Sequence, residues 1–405
     1  MFGFRLASEG RVLATIVGFA PVFVLALTWD KDGASTQFAR EVREYALPVL
    51  AVEGVIIGVA ALTGLFAWLK RAPRYIVAAL AIWFVVAAAT ALFVAVRRDL
   101  SIFLTCIWIV HGLFGASIAF LIKEEKIEPN DLASALLAGF LTYGLAITVF
   151  ALQVDHKIHW VTDVPGLGNL RRVAAYATIC AGLGLGFARS RKDVLAISAV
   201  IAALFIAFWT GARATVPAVA VGILVACIVW PSARGWRIWL VFGVALAAAL
   251  LLAAIFPVEM EQGTTRYRAI TEVGDNGRLR IWSLTAQAIG QSPIFGYGEG
   301  QTALILPHNP ALDADFQAHP HNVILQVLMA WGLIGLAALA VVGGWLISLL
   351  LKGGRGASAP FGVGACALAA HAMIDGALYD VAPVFVFAAV VGTAFGSSTA
   401  AQRKT

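Results

Sequence analysis

Charged residues are scarce: Asp, Glu, Lys and Arg make up 13% of the 405 residues, about half the roughly 25% of an average soluble domain. That deficit excludes an intrinsically disordered chain and speaks against a soluble fold. Cysteine is scarcer still. The four present, Cys106, Cys180, Cys227 and Cys366, each lie inside an apolar run, which excludes a disulfide scaffold and reads as packing rather than redox chemistry or ligation. The chain also lacks a fixed-period repeat, a low-complexity tract and any sign of a second domain. What it has in abundance is apolar surface, with 60% AVILMFWYC residues and a mean hydropathy of +0.87. At about 20 residues per membrane-spanning helix, a dozen spans would take up roughly that apolar fraction.

Apolar runs bounded by charge predict an all-α polytopic membrane protein of about 12 transmembrane helices, over residues 12–29, 47–69, 75–96, 102–122, 132–154, 173–187, 194–209, 215–230, 238–256, 323–350, 361–378 and 381–395. The first run is flanked by Asp30-Lys31-Asp32 without a small-residue cleavage pattern, so it is expected to stay as an anchor. An even count puts both termini on one side. With that side cytoplasmic, sixteen of the 29 Lys and Arg face inwards, and four of the outward ones lie in a single long loop that the positive-inside rule discounts. The chain then divides into 1–256 with spans one to nine, a long outer loop over 257–322, and 323–405 with spans ten to twelve and a short cytoplasmic tail. Topology gives no reason for Arg97, Arg98, Arg171, Arg172, Arg213, Arg266, Arg268, Arg278 and Arg280 to lie outside. They read as a site for anions.

Every other connection is short, so the loop is where chemistry has room to be built. From Arg278 onwards, Leu279, Trp282, Ala286 and Ile289 recur at helical spacing, which predicts an amphipathic helix at the membrane surface. The loop ends in His319-Pro320-His321-Asn322. His321, held at the start of a span, is the candidate base, since an imidazole of near-neutral pKa takes a proton from a hydroxyl. Asn322 is placed to orient it or to hold a substrate group. The plainer alternative is a histidine that only caps the helix. Metal binding through His308, His319 and His321 is disfavoured because the loop has no cysteine. Asp313-Ala314-Asp315 imitates a metal-binding DxD but reads as solvated loop, and Gly296-Tyr297-Gly298-Glu299-Gly300 reads as a tight turn, with no strand and helix to make it a nucleotide loop.

Within the spans, Glu53, His371 and Asp375 suggest either function or polar contacts between helices, and His111 suggests the latter. Arg213 lies in the outer turn Thr210-Gly211-Ala212-Arg213-Ala214-Thr215, close to Pro217 at the start of the next span. Arg278 opens the loop helix in the same way. A guanidinium at a helix N-terminus makes a phosphate site. Two such cations beside an imidazole suggest that a diphosphate leaving group is gripped while an alcohol is deprotonated, with no general acid required.

These segments resemble the large outer loop of the O-antigen ligase and polymerase superfamily. The resemblance is carried by Gly277-Arg278-Leu279-Arg280-Ile281-Trp282, Ser292-Pro293-Ile294-Phe295-Gly296-Tyr297-Gly298 and His319-Pro320-His321-Asn322. The ligase pattern of His, then Asn, Ser or Gln, nine residues, Gly, two residues and a small or polar residue is met by His321, Asn322, Gly332 and Gly335. Around Arg213 the turn is similar to a Ser-Arg-Gly element, and Asn169-Leu170-Arg171-Arg172 to an Asn-x-Arg element. The resemblance implies a GT-C-like fold and a cofactor-free, metal-independent, inverting glycosyltransferase at the periplasmic face of a bacterial inner membrane. The donor would be a glycan on undecaprenyl diphosphate, and the acceptor a hydroxyl of the lipid A core of lipopolysaccharide. Nucleic acid is not an expected partner. Carried over, His321 would be the base and Arg278 and Arg213 would hold the diphosphate, with Arg171, Arg172, Arg280, His319 and Asn322 as further substrate contacts. Alternatives are an O-antigen polymerase, a protein O-oligosaccharyltransferase, which commonly carries an extra C-terminal periplasmic region, and, from another class, a secondary transporter, whose related halves and midplane charges are not visible here.

Overall fold

A computed structural model describes residues 2–28, 38–153, 167, 170–190, 193–230, 233–256, 259–260, 263–264, 277–306, 319–352 and 358–403. In hydrocarbon every backbone N–H and C=O must find a partner within the protein, so long apolar runs become helices. The described residues form α1 (Phe2–Thr28), α2 (Phe38–Leu62), α3 (Leu65–Leu69), α4 (Arg74–Ala89), α5 (Arg98–Lys123), α6 (Pro129–Gln153), α7 (Leu170–Ser190), α8 (Val194–Trp209), α9 (Thr215–Val229), α10 (Trp236–Ile255), α11 (Arg278–Gln291), α12 (Thr302–Ile305), α13 (Val323–Lys352), α14 (Ala359–Ala372) and α15 (Val381–Arg403). The strand content among them is a two-residue antiparallel ladder, Glu259–Met260 with Gly263–Thr264. Among the described residues, seven helices are long and apolar enough to cross a membrane, and five shorter apolar helices accompany them. The apolar runs expected from the sequence overlap these helices, and the chain is a polytopic membrane protein.

Helix α14 is central. It packs against α7 and α9, α7 packs against α8, and α15 lies along α5. The approach is close because a Cβ on Gly222 would lie 2.7 Å from the Ala367 backbone of α14, the small-residue contact by which membrane helices associate. Glu53 of α2 and His111 of α5 are buried and hydrogen-bonded to each other through Oε1 and Nδ1. They join two helices, the contact expected for His111 and one of the two alternatives left for Glu53.

The structure corrects three expected runs. The second breaks at Gly64, whose φ of 115° separates α2 from α3. The eleventh ends at Ala372 rather than reaching residue 378, because polar Asp375 and Asp380 find partners away from the helix. The tenth, α13, is interrupted at Gly332, with φ 60° and ψ −162°, a conformation almost exclusive to glycine.

The break in α13 is filled by another part of the chain. Tyr297 and Gly298 donate their N–H groups to the carbonyls of Met329 and Ala330, both at 2.8 Å, while Leu333 and Ile334 donate to Pro293 and Ile294 at 2.8 and 3.3 Å. Residues 293–298 thus replace the missing turn, and irregular backbone is tolerated because protein encloses it. This explains the Gly332 of the sequence motif, since a Cβ there would strike the Ile294 carbonyl. Gly332→Ala is therefore expected to lose about 1–3 kcal/mol from backbone strain alone, with the clash in addition. Gly343, which has nothing within 4 Å of a built Cβ, should tolerate Ala with little change. Unfolding temperatures of the two variants in detergent check this contrast; equal values would contradict it.

Candidate active site

The turn after α14 and the start of α13 meet at one end of the bundle. Asn322 caps α13, its Oδ1 accepting the N–H groups of Ile324 and Leu325 at 3.0 Å each, while its Nδ2 donates to the Met373 carbonyl at 2.9 Å. Both ends of the amide are engaged inside the protein. His321, one residue earlier, is buried and adopts φ +53°, an uncommon backbone state for a residue with a side chain. Trp282 of α11 donates its indole N–H to Pro320 O at 2.9 Å, which fixes the approach to that turn.

Asp375 is the hub. Its Oδ1 accepts from His321 Nδ1 at 2.9 Å and from the Gly376 N–H at 2.8 Å. Oδ2 accepts from an Arg278 guanidinium nitrogen at 3.2 Å and lies 4.0 Å from His371 Nε2. Burial pushes the Asp375 carboxyl up, but the His321 hydrogen bond and the charges of His321, His371 and Arg278 overcome it and hold the group well below the usual carboxylate range. An ionised carboxylate only accepts, so His321 carries its proton on Nδ1 and presents a lone pair on Nε2. That is the orientation a general base requires.

Arg278 begins α11, with 22% of its side chain exposed, so a cation stands at a helix N-terminus and shares Asp375 with His321. The ion pair with Asp375 engages one nitrogen of a guanidinium that has five N–H donors. Arg213 occupies the turn between α8 and α9, two residues before Thr215. The Thr178 hydroxyl lies 3.1 Å from Thr215 Oγ1 and 2.7 Å from His371 Nδ1, which ties that turn to the Asp375 cluster. His319 meets His321 edge-on and Tyr379 at a tilt, at ring distances of 4.3 and 4.7 Å.

Other expected substrate contacts sit differently. Arg172 donates from Nε to Asp380 Oδ1 at 2.7 Å and from a terminal nitrogen to Leu167 O at 3.0 Å, so it braces the segment after Asp375. Arg280 is exposed on α11. The side chain of Arg171, together with Arg266, Arg268, His308, Asp313 and Asp315, lies outside the described residues. Among the described residues no group of three or more His, Cys, Asp or Glu is placed to hold a metal ion. Helix α11 buries Ile281, Thr285 and Ala288 and leaves Leu279 63% exposed.

Sequence reasoning passed over Glu299, in the turn read as Gly-rich and unspecific. It is buried, and Gln326 Nε2 donates to its Oε1 at 3.2 Å. Burial pushes its carboxyl up to about 7, against the opposing influence of Gln326 and Trp108. The folded value is above the ordinary 4.5, so this group's contribution to stability is fully present below pH 4.5 and is lost as pH rises towards 7. Relative to Glu299→Gln, the wild-type unfolding temperature should fall across that window; parallel curves would contradict it.

Fold and cluster together define a polytopic helical membrane protein with a carboxylate-oriented histidine and an arginine gathered at one end of its bundle. Residues 175–340 match the O-Antigen ligase family model. A stretch of 115 residues is 33% identical to the O-antigen ligase of Pseudomonas aeruginosa, covering 28% of this chain and 25% of that protein. The chain thus matches about a quarter of that relative's length. Both findings support membership of the O-antigen ligase superfamily. Arg213, Arg278, His321 and Gly332 fall inside the family match, whereas Asp375 lies beyond it.

Proposed function

We propose that this protein is an O-antigen ligase, which transfers a glycan from undecaprenyl diphosphate to a hydroxyl of the lipid A core at the periplasmic face of the inner membrane, with both termini cytoplasmic. The observation that carries this reading is the shared carboxylate, Asp375, between His321 and Arg278. A base and an anion holder are thereby fixed relative to one another.

In this mechanism His321 Nε2 takes the proton of the acceptor hydroxyl, and Asp375 stabilises the resulting imidazolium through Nδ1–H. The hydroxyl oxygen forms a bond to the anomeric carbon as the bond from that carbon to the diphosphate oxygen breaks. Attack comes from the face opposite the leaving group, so the anomeric configuration inverts. The electron pair leaves with undecaprenyl diphosphate, whose charge Arg278 and Arg213 neutralise. Guanidinium neutralisation makes a metal unnecessary, so transfer by purified protein should persist in a chelator; a strict divalent requirement would contradict this and direct attention to Asp313 and Asp315.

Arg213→Ala should reduce kcat about a hundredfold or more, as loss of one preorganised donor to a developing oxyanion does. Arg213→Lys should recover only part, because a point charge replaces a bidentate fork. Initial rates with a polyprenyl-diphosphate glycan measure both, and an unimpaired Arg213→Ala would remove this residue from the site. The reading as a whole is tested in a ligase-deficient strain: the wild-type gene should restore an O-antigen ladder on lipopolysaccharide gels. Failure to do so, with the protein present in the membrane and chain extension restored in a polymerase-deficient strain, would mean a polymerase.

A further inference from the structure

Glu299 has no part in the transfer described above, yet it is a third carboxyl, with Asp375 and Asp380, at this end of the bundle. It is 2% exposed. Its turn is set by left-handed Gly296, Gly298 and Gly300 and anchored by Gln301, which accepts the Arg97 N–H at 2.9 Å and donates to the carbonyls of Arg97 and Glu299 at 3.2 and 3.1 Å. Gln326, on α13 one turn beyond Asn322, engages Oε1. Oε2 is buried with no hydrogen-bond partner among the described residues, while the Trp108 indole, like Gln326, is close enough to the carboxyl to favour its charged form. A buried acceptor left open in this way calls for a ligand donor.

The contacts run in order from Arg278 to Asp375, His321, His319 and Tyr379, and the Tyr379 phenol stands within electrostatic reach of Glu299. Glu299 is tied to the His321 end of α13 through Gln326, one turn beyond Asn322, whereas Arg278 reaches His321 through Asp375. In an inverting displacement the incoming hydroxyl and the leaving group occupy opposite faces of the donor sugar. With Arg278 assigned to the diphosphate, the open carboxyl oxygen of Glu299 is left as an acceptor for a hydroxyl of the incoming sugar.

Building on the glycosyl-transfer reading, we propose that Glu299 is an acceptor-binding residue: its Oε2 takes a hydroxyl of the acceptor sugar while Gln326 holds Oε1, which selects the hydroxyl that reaches His321. The test titrates rough lipopolysaccharide, lipid A with core and no O-antigen, onto purified wild type, Glu299→Ala, Glu299→Gln and His321→Ala, with initial rates measured in parallel. Glu299→Ala should weaken binding at least tenfold and raise the acceptor KM by a similar factor, with kcat within about threefold and the donor KM unchanged. Glu299→Gln keeps an acceptor for Gln326 and should lose less, so it decides the matter if the Ala variant does not fold. His321→Ala should bind as wild type does. Undiminished binding by the Glu299 variants, no binding by the wild type, or a loss confined to kcat or the donor KM would each overturn the proposal. Binding without any transfer by the wild type would instead refute the ligase reading and leave the Glu299 comparison intact.

Discussion

Replacement of His321 by Ala is expected to lower glycan transfer by about 10²- to 10⁴-fold, the usual contribution of a positioned general base, while the protein still inserts and unfolds near the wild-type temperature. The imidazole is buried and held on one side by Asp375 Oδ1 at 2.9 Å, which fixes the direction in which its other nitrogen points. A sugar hydroxyl is a poor nucleophile until its proton moves, and an arginine-bound diphosphate lowers only the leaving-group side of the barrier. Loss of the base should therefore appear in kcat rather than in the KM for either substrate. Rates within tenfold of wild type would mean that the hydroxyl loses its proton elsewhere.

Asp375→Asn should be nearly as damaging, for a different reason. The amide no longer stabilises the imidazolium, and it admits the wrong His321 tautomer by donating to Nδ1; a loss of about 10²- to 10⁴-fold in kcat is expected. It also leaves the partly buried Arg278 without its carboxylate, a cost of about 1–3 kcal/mol. The two effects separate by pH. Asp375 has a folded value below its unfolded one, so its contribution to stability is present above the unfolded carboxylate range and is lost as pH falls towards the folded value. The wild type should lose its stability advantage over Asp375→Asn on the acid side, and a constant difference at all pH values would show that the carboxylate is not held as an ion.

Much of the helical scaffold was legible because apolar runs bounded by charge leave the backbone few alternatives in hydrocarbon. Gly332 shows where that legibility stopped. Within an unbroken apolar run it reads like any membrane-helix glycine, and only the arrival of residues 293–298 reveals why no side chain fits there. His321 and Arg213 stood out as polar groups at the ends of spans, and Arg278 at the start of the loop helix. Asp375 was visible only as a neighbour of His371, since its contacts with Arg278 and His321 cross 97 and 54 residues of sequence, and no local pattern carries such a pairing. The pairing of Arg172 with Asp380 was equally hidden, since it spans 208 residues of sequence.

Reconstituted transfer is the most direct test of the claim that the His321, Asp375 and Arg278 cluster performs glycan ligation. Purified wild-type protein, given a polyprenyl-diphosphate glycan and rough lipopolysaccharide in the presence of a chelator, should join the two with inversion at the anomeric carbon, while His321→Ala and Asp375→Asn each form product at least about a hundredfold more slowly. Product formed by both variants at wild-type rates, or with the donor's anomeric configuration retained, would contradict the account.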